Sequence, residues 1–321
     1  MGSRWVGVLE ETAYASKPAG YPTGAKYLPF VDGEPVPNNN QMDLRESIYL
    51  MDTGAVMGGF VGEYTLRTFA RPDNIANLLK WIWGTANSVA HDGMQQHTFT
   101  MSEGVKSFFM EHVTGASVNA LALLGCVVKT VEFEAAQDRP VMSTWTLQYN
   151  KEDIAAAPSA LGTIPSVRPF TLFDATVTSF GQVLKCESFR VRIERTVPDD
   201  AHTTGSRFLP DIVEEGFEIT GELEGRFADW TQRQKFYGLA GASTTPQDEY
   251  YTGAISIACD GPPSGQVHDS YDLEFSFPAA GITEIPSPVN TRDRLRQTVN
   301  FKAFYSASNQ MVLTNMTAGP I

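Results

Sequence analysis

Cysteine is scarce and histidine is scattered. The three cysteines, Cys126, Cys186 and Cys259, lie far apart with no close Cys or His partner. That spacing excludes a disulfide framework and a structural zinc, and leaves them as small buried hydrophobes in strands. The five histidines, His91, His97, His112, His202 and His268, include no i, i+4 pair and no flanking glutamate of the zinc-hydrolase kind. A Walker loop, a Rossmann glycine fingerprint and a nucleophile elbow are all missing, so neither metal nor cofactor is implied. Long apolar runs are missing too. The longest, Ala120 to Val128, is strand-sized, and no membrane partner is expected. The start, MGSRWVGVLEETAYAS, lacks the basic and apolar regions of a secretory signal, so assembly in a cytoplasm is the expectation. Basic charge is also in deficit: 24 Lys and Arg stand against 37 Asp and Glu, a formal charge of -13. A surface that grips phosphates needs clustered cations, so tight nucleic-acid binding is disfavoured.

What is present is alternation. The chain has 321 residues and 42% hydrophobic content, enough for two ordinary cores. Apolar and polar residues alternate with a period of two over Gly62 to Ala70, Lys106 to Val113, Ala120 to Ala135, Val141 to Asn150 and Phe170 to Thr178. The same pattern returns over Leu184 to Thr196, Glu218 to Phe227, Gly253 to Cys259, Tyr271 to Phe277 and Leu295 to Phe304, and predicts strands. Turn chemistry such as AAQDRP, TVPDDAHTTG and CDGPPSG separates them. Two helices interrupt the strands. One, over Asp73 to Trp83, follows Pro72, sets Ile75, Leu78, Leu79 and Ile82 on one stripe and stops at Gly84. The other, over Asp229 to Tyr237, opens on Asp229 as N-cap and stops at Gly238. The fold class that follows is mainly β, built of sandwiches or barrels, with one flanking helix in each half.

The halves echo each other. GEYTLRTFA at Gly62 to Ala70 matches GELEGRFA at Gly221 to Ala228, and each runs into its helix. Upstream, TGAKYLP at Thr23 to Pro29 matches TGSRFLP at Thr204 to Pro210. Two related domains, residues 1–160 and 161–321, are the simplest account. The interval from Pro29 to Gly62 is far longer than that from Pro210 to Gly221, which places an insertion at about residues 32–59 of the first copy. It reads as a long loop or hairpin. Its apolar tip, Ile48, Tyr49, Leu50 and Met51, favours a contact with another molecule if exposed, and a core strand of its own domain is the equally weighted alternative.

One catalytic pattern occurs, Asp52-Thr53-Gly54, the triplet of aspartic proteases. That chemistry needs two carboxylates sharing a proton, so a single triplet would have to act across a dimer, a remote reading. Carboxylate stripes stand out more. Glu218, Glu222 and Glu224 alternate with Ile219 and Leu223, and Glu132 and Glu134 with Val131 and Phe133. A solvated outer face is the plain reading, and the lining of a channel that repels a polyanion is the functional one.

Taken together, GVLEETAYASKPAGYPTGAKYLPF, HTFTMSEGVKSFF, LLGCVVKTVEFEAAQDRPVMSTWTLQYNKED, RPFTLFDATVTSFGQVLKCESFRVRIERTVPDDAH and TGSRFLPDIVEEGFEITGELEGRFADWTQRQKF resemble the major tail tube proteins of bacteriophages with long non-contractile tails. The resemblance covers most of the chain. It implies a structural virion protein and no enzyme: tail-tube-like domains whose inner sheet joins those of its neighbours in rings, stacked into a channel for DNA ejection. A duplicated chain implies homo-oligomeric rings that are trimers with pseudo-sixfold symmetry. The implied partners are copies of itself, a tape measure protein, a tail terminator and a distal tail protein, with DNA passing the lumen without specific binding. In that frame Glu63, Glu218, Glu222 and Glu224 are expected to face the lumen, and Ile48, Tyr49, Leu50 and Met51 to reach the next ring. Another β-rich virion or decoration protein would share the same composition.

Overall fold

Alternating sequence becomes strand along most of the chain. The computed structural model of the protein describes residues 4–45, 51–52, 54–115, 120–154, 157–238, 244–248, 250–266, 270–286 and 295–316. The first half contains β1 (Trp5–Glu10), β2 (Lys26–Leu28), β3 (Asp32–Asn38), β4 (Met42–Leu44), β5 (Gly54–Val56), β6 (Val61–Phe69), α1 (Ala76–Trp83), β7 (Gly84–His91), β8 (Met94–Met101), β9 (Phe108–Val113), β10 (Ala120–Ala136), β11 (Arg139–Tyr149) and β12 (Lys151–Asp153). After a 3-10 turn at Leu172–Asp174, the second half adds β13 (Ala175–Ser179), β14 (Gln182–Leu184), β15 (Cys186–Thr196), β16 (Gly216–Arg226), α2 (Thr231–Phe236), β17 (Gly253–Pro263), β18 (Ser270–Glu284), β19 (Arg296–Ala303) and β20 (Gln310–Asn315).

The pairings make two large antiparallel sheets of seven strands, a third of five and a separate pair, β4-β5. The first sheet runs β3-β6-β11-β10-β15-β16-β19, crossing from one half of the chain to the other at β10 and β15. The second runs β7-β8-β20-β18-β17-β13-β14, with β8 and β20 joining the halves again. The far end of β18 pairs with β19 and closes the two sheets at one corner. The third sheet, β12-β10-β9-β1-β2, is built on the first residues of β10. The long β10 therefore serves two sheets. At the change-over Gly125 adopts φ 66°, and a Cβ there would meet Asn150, Tyr14 and Ala15 at 3.0–3.2 Å, so only glycine turns the strand at this point.

One continuous core fills the space between the large sheets. Phe133 of β10 packs edge-on against Trp145 of β11 and Phe275 of β18, at centroid distances of 5.9 and 5.2 Å, linking both halves through one aromatic cluster. Helix α1 buries Leu78, Leu79, Trp81, Ile82 and Trp83. Trp81 stacks on Phe108 of β9 at 4.1 Å, while its Nε1 donates to Glu10. Trp81→Ala removes that stack and leaves a cavity, so a loss of about 3–5 kcal/mol is expected from denaturant titration; a loss below about 1 kcal/mol would show that the third sheet is not anchored through this residue.

The helices start later than the sequence pattern suggests. Asp73 accepts from the N–H groups of Ser166 and Val167, and Asn74 accepts from Arg71 N–H, which holds residues 73–75 in a turn ahead of α1. Asp229 is not the N-cap of α2: that position falls on Trp230, which makes no side-chain cap bond, and Asp229 lies one residue earlier, accepting from Thr231 N–H at 2.8 Å. Gly84 and Gly238 end the helices at φ 91° and 86°.

Strands β1, β7, β8 and β20 lie outside the sequence-predicted set: GTANSVAH and MQQHTFTM carry too few apolar residues to reveal their period, whereas WVGVLE and QMVLTN are buried nearly throughout and show no alternation. The supposed insertion also changes shape. Its first residues, Asp32 to Asn38, are β3, a full member of the first sheet paired with β6 from Asp32↔Arg67 to Asn38↔Val61. The extra segment therefore begins after Asn38.

Candidate assembly surfaces and the charged sheet face

Because side chains alternate along a strand, the first sheet has one face in the core and one in solvent. Tyr64, Leu66, Trp145, Val131, Val191, Ile219 and Leu223 point inward. Glu63, Glu218, Glu222 and Glu224 point outward, and register shows how they are set. Thr65, Thr146, Thr130, Glu194 and Glu218 form one row across five strands. Arg67, Thr144, Glu132, Arg192, Thr220 and Lys302 form the next. Met142, Glu134, Arg190, Glu222 and Asn300 form a third. Glu63 stands one step beyond the first row, opposite Gln148. The four sequence-predicted glutamates thus share one face of one sheet, although they come from different halves of the chain.

That face is a ladder of alternating charge and no simple carboxylate stripe. Arg190 pairs with Glu132 at 2.7 Å, Arg192 with Glu194 at 2.8 Å, Lys302 with Glu218 at 2.7 Å and Arg296 with Glu224 at 3.3 Å. Glu194 and Glu218 lie directly opposite each other, and each is compensated by its own cation. At the β3 edge Asp32, Glu34 and Glu63 flank Arg67, a local acidic excess. The cations escaped the carboxylate reading, but their signal was in plain view. FRVRIERT alternates Arg190, Arg192 and Glu194 with Val191 and Ile193, in the same period as EITGELEG.

A second feature projects from the rim where β6 begins. Among the described residues, strands β4 and β5 pair only with each other, forming a separate two-stranded sheet that we call the arm. Register places Met42, Leu44 and Val56 on one face of it, 55%, 45% and 46% exposed. Met51 is 82% exposed, whereas Ile48, Tyr49 and Leu50 lie outside the described residues. The TGSRFLP repeat clamps the base: Arg207 donates to Gly58 O at 2.8 Å and to Asn39 Oδ1 at 3.0 Å, and its own carbonyl accepts from Phe60 N–H. Asp52 sits on this arm, exposed and ion-paired with Arg45 at 3.0 Å. A proton-sharing carboxylate pair needs desolvation and close like charge, and a cation in solvent supplies the reverse.

A third feature holds the same rim together from within. Arg195, 3% exposed, donates from Nε to Ile82 O and from Nη2 to Trp83 O and Ser102 O, and pairs through Nη1 with Glu214. It thereby covers the carbonyls at the C-terminus of α1, where a cation is favoured by the helix dipole. Burial pushes its pKa down, while Glu214 pulls it back up. Glu214 in turn accepts from Val105 N–H.

The cysteines are free, with Cys126 and Cys259 buried. Burial pushes the thiols of Cys186 and Cys259 up to about 12, so both stay protonated and poorly nucleophilic. Among the described residues no group of three or more His, Cys, Asp or Glu side chains could hold a metal, and no helix is long and apolar enough to cross a membrane. His97 is tied between Ser88 and Asn315, and His112 lies edge-on to Phe30 and Tyr64. His268 lies outside the described residues.

Residues 6–303, nearly the whole chain, match the family model described as phage tail tube protein. The chain belongs to the phage tail tube protein family. Its place is therefore the virion tail, and its class is that of a structural protein that assembles in tails. No curated protein matches the chain. For a tail tube protein, an exposed arm and an uninterrupted sheet are the surfaces on which assembly can be argued.

Proposed function

We propose that this protein polymerises as stacked rings into the tube of a long, non-contractile phage tail, with the charged face of the first sheet lining the channel for DNA ejection. The observation that carries the reading is the single sheet to which both halves contribute. In each half the strand before the helix, β6 or β16, pairs back with a later strand, β11 or β19, and the helix leads to a hairpin, β7-β8 or β17-β18. Two such units, residues 1–160 and 161–321, in one chain make a trimeric ring with pseudo-sixfold symmetry. Tape measure, terminator and distal tail proteins would meet the tube inside and at its ends, and the role is structural, without catalysis. Negative-stain microscopy of the purified protein tests the assembly: rings or tubes are expected, and a protein that stays monomeric at high concentration would overturn it.

The charge ladder suits a DNA conduit. Cations held by Glu132, Glu194 and Glu218 are not free to replace counterions on phosphate, and the remaining acidic excess repels it. Changing Glu63, Glu218, Glu222 and Glu224 together to Lys should leave tubes able to form, because each exposed pair is worth only about 0–1 kcal/mol. The variant tubes should bind DNA in a salt-dependent way, and genome delivery should slow. Unchanged delivery, measured by potassium efflux and DNA entry, would remove these residues from the lumen.

A further inference from the structure

The chain treats the edges of its sheets unequally. At the ends of the sheets, β2, β12 and β14 expose an edge of only three residues each. The edge strand β3 is longer but carries Pro35 and Pro37, which have no N–H to donate. Strand β7 has neither protection. It is eight residues long, GTANSVAH, contains no proline, lysine, arginine or carboxylate, and pairs among the described residues only with β8. Asp92 and Gly93, at φ 46° and 86°, make the two-residue turn closed by the pair His91↔Met94. In such a hairpin the closing pair exchanges both hydrogen bonds, and every second residue does the same. The main chains of Ala86, Ser88 and Ala90 therefore face away from β8. The 2.7 Å approach of Ser88 Oγ to His97 Nδ1 is what the close side-chain spacing of a non-bonded pair produces.

A long, flat, uncharged edge is a template for a further strand, and soluble proteins ordinarily guard it. The arm offers the matching half. Among the described residues its β5 pairs with β4 alone, and it carries no charge and an exposed Val56. We propose that β5 of one copy adds as a strand to the β7 edge of a second copy, so that the second sheet continues from molecule to molecule. This rests on the arm being a self-assembly contact and names where it docks. Main-chain bonding would supply the affinity and alternate side chains the register.

The test is cysteine cross-linking in the assembled full-length protein. Val89, 55% exposed on β7, is changed to Cys together with Ala55→Cys on the arm. The comparison pair is Ala55→Cys with Val183→Cys, where Val183 is 71% exposed on the opposite edge strand β14. Mild oxidation should give a ladder of covalent multimers with the first pair and none with either single variant. Tubes that form without that ladder, or a ladder with the Val183 pair instead, would overturn the β7 assignment while leaving self-assembly intact. Failure of the unmodified protein to assemble would overturn both. Ala90→Pro removes one outward N–H and Val89→Lys guards the edge; each should raise the critical concentration for assembly about tenfold, with melting temperature unchanged. Unchanged assembly in both would count against the edge.

Discussion

Deleting residues 40–57 should leave a folded protein that no longer makes tubes. The deletion joins Asn39 to Gly58, two residues that Arg207 already holds together. Strands β3 and β6 would then be linked by Asn39, Gly58, Gly59 and Phe60 beyond the pair Asn38↔Val61, a four-residue hairpin loop. A two-stranded ribbon with both faces in solvent contributes little to the monomer's stability, so the melting temperature should stay close to that of the full chain. What is removed is a set of exposed apolar side chains, Met42, Leu44 and Val56 on one face of the ribbon together with Met51, of the kind that marks a contact surface. Sedimentation and microscopy should find single rings or protomers. Normal tubes would show that the arm is dispensable and would also remove the partner proposed for β7.

The second large effect is expected at Arg195. Arg195→Met keeps the volume of the stem but abandons the carbonyls of Ile82, Trp83 and Ser102 and leaves Glu214 without its cation. Breaking one side of a buried pair costs about 3–5 kcal/mol, because the remaining charge is stranded. Arg195→Lys should recover only part of this, since one ammonium cannot reach the same set of acceptors in a planar fork. Urea denaturation would measure both. A loss below about 1 kcal/mol for the Met variant would mean that water replaces the guanidinium at the rim. The damage should appear in assembly too, as Arg195 joins the ends of α1 and β8 to the segment that enters β16, on the rim that carries the arm.

Several features were legible in the residues themselves. The alternation in VKTVEFEA and EITGELEG told which side chains share a face, and Glu132, Glu134, Glu218, Glu222 and Glu224 do point to solvent. Gly84 and Gly238 marked the helix ends. The repeat GEYTLRTFA and GELEGRFA placed β6 and β16 in equivalent roles ahead of α1 and α2, and the family resemblance agrees with the match over residues 6–303. Local chemistry suffices for these, because a strand's period, a cap and a turn depend on residues within a few positions of one another.

Partnership was out of reach. That Glu132 meets Arg190 depends on β10 lying beside β15, and that Glu218 meets Lys302 depends on β16 lying beside β19; Arg190 and Glu132 are nearly sixty residues apart in the chain. The same holds for Asp32 to Asn38, whose exposed, proline-bearing sequence looked like part of a loop until pairing with β6 made it an edge strand. By itself the sequence determined the β class, the two-fold echo in the chain and which side of each strand is wet. Only the tertiary structure decided which strands meet, and with them the neutralised charge ladder, the free-standing arm and the unguarded β7, because hydrogen-bonded pairing and burial are set by residues far apart in the chain, whereas periodicity is set by nearest neighbours.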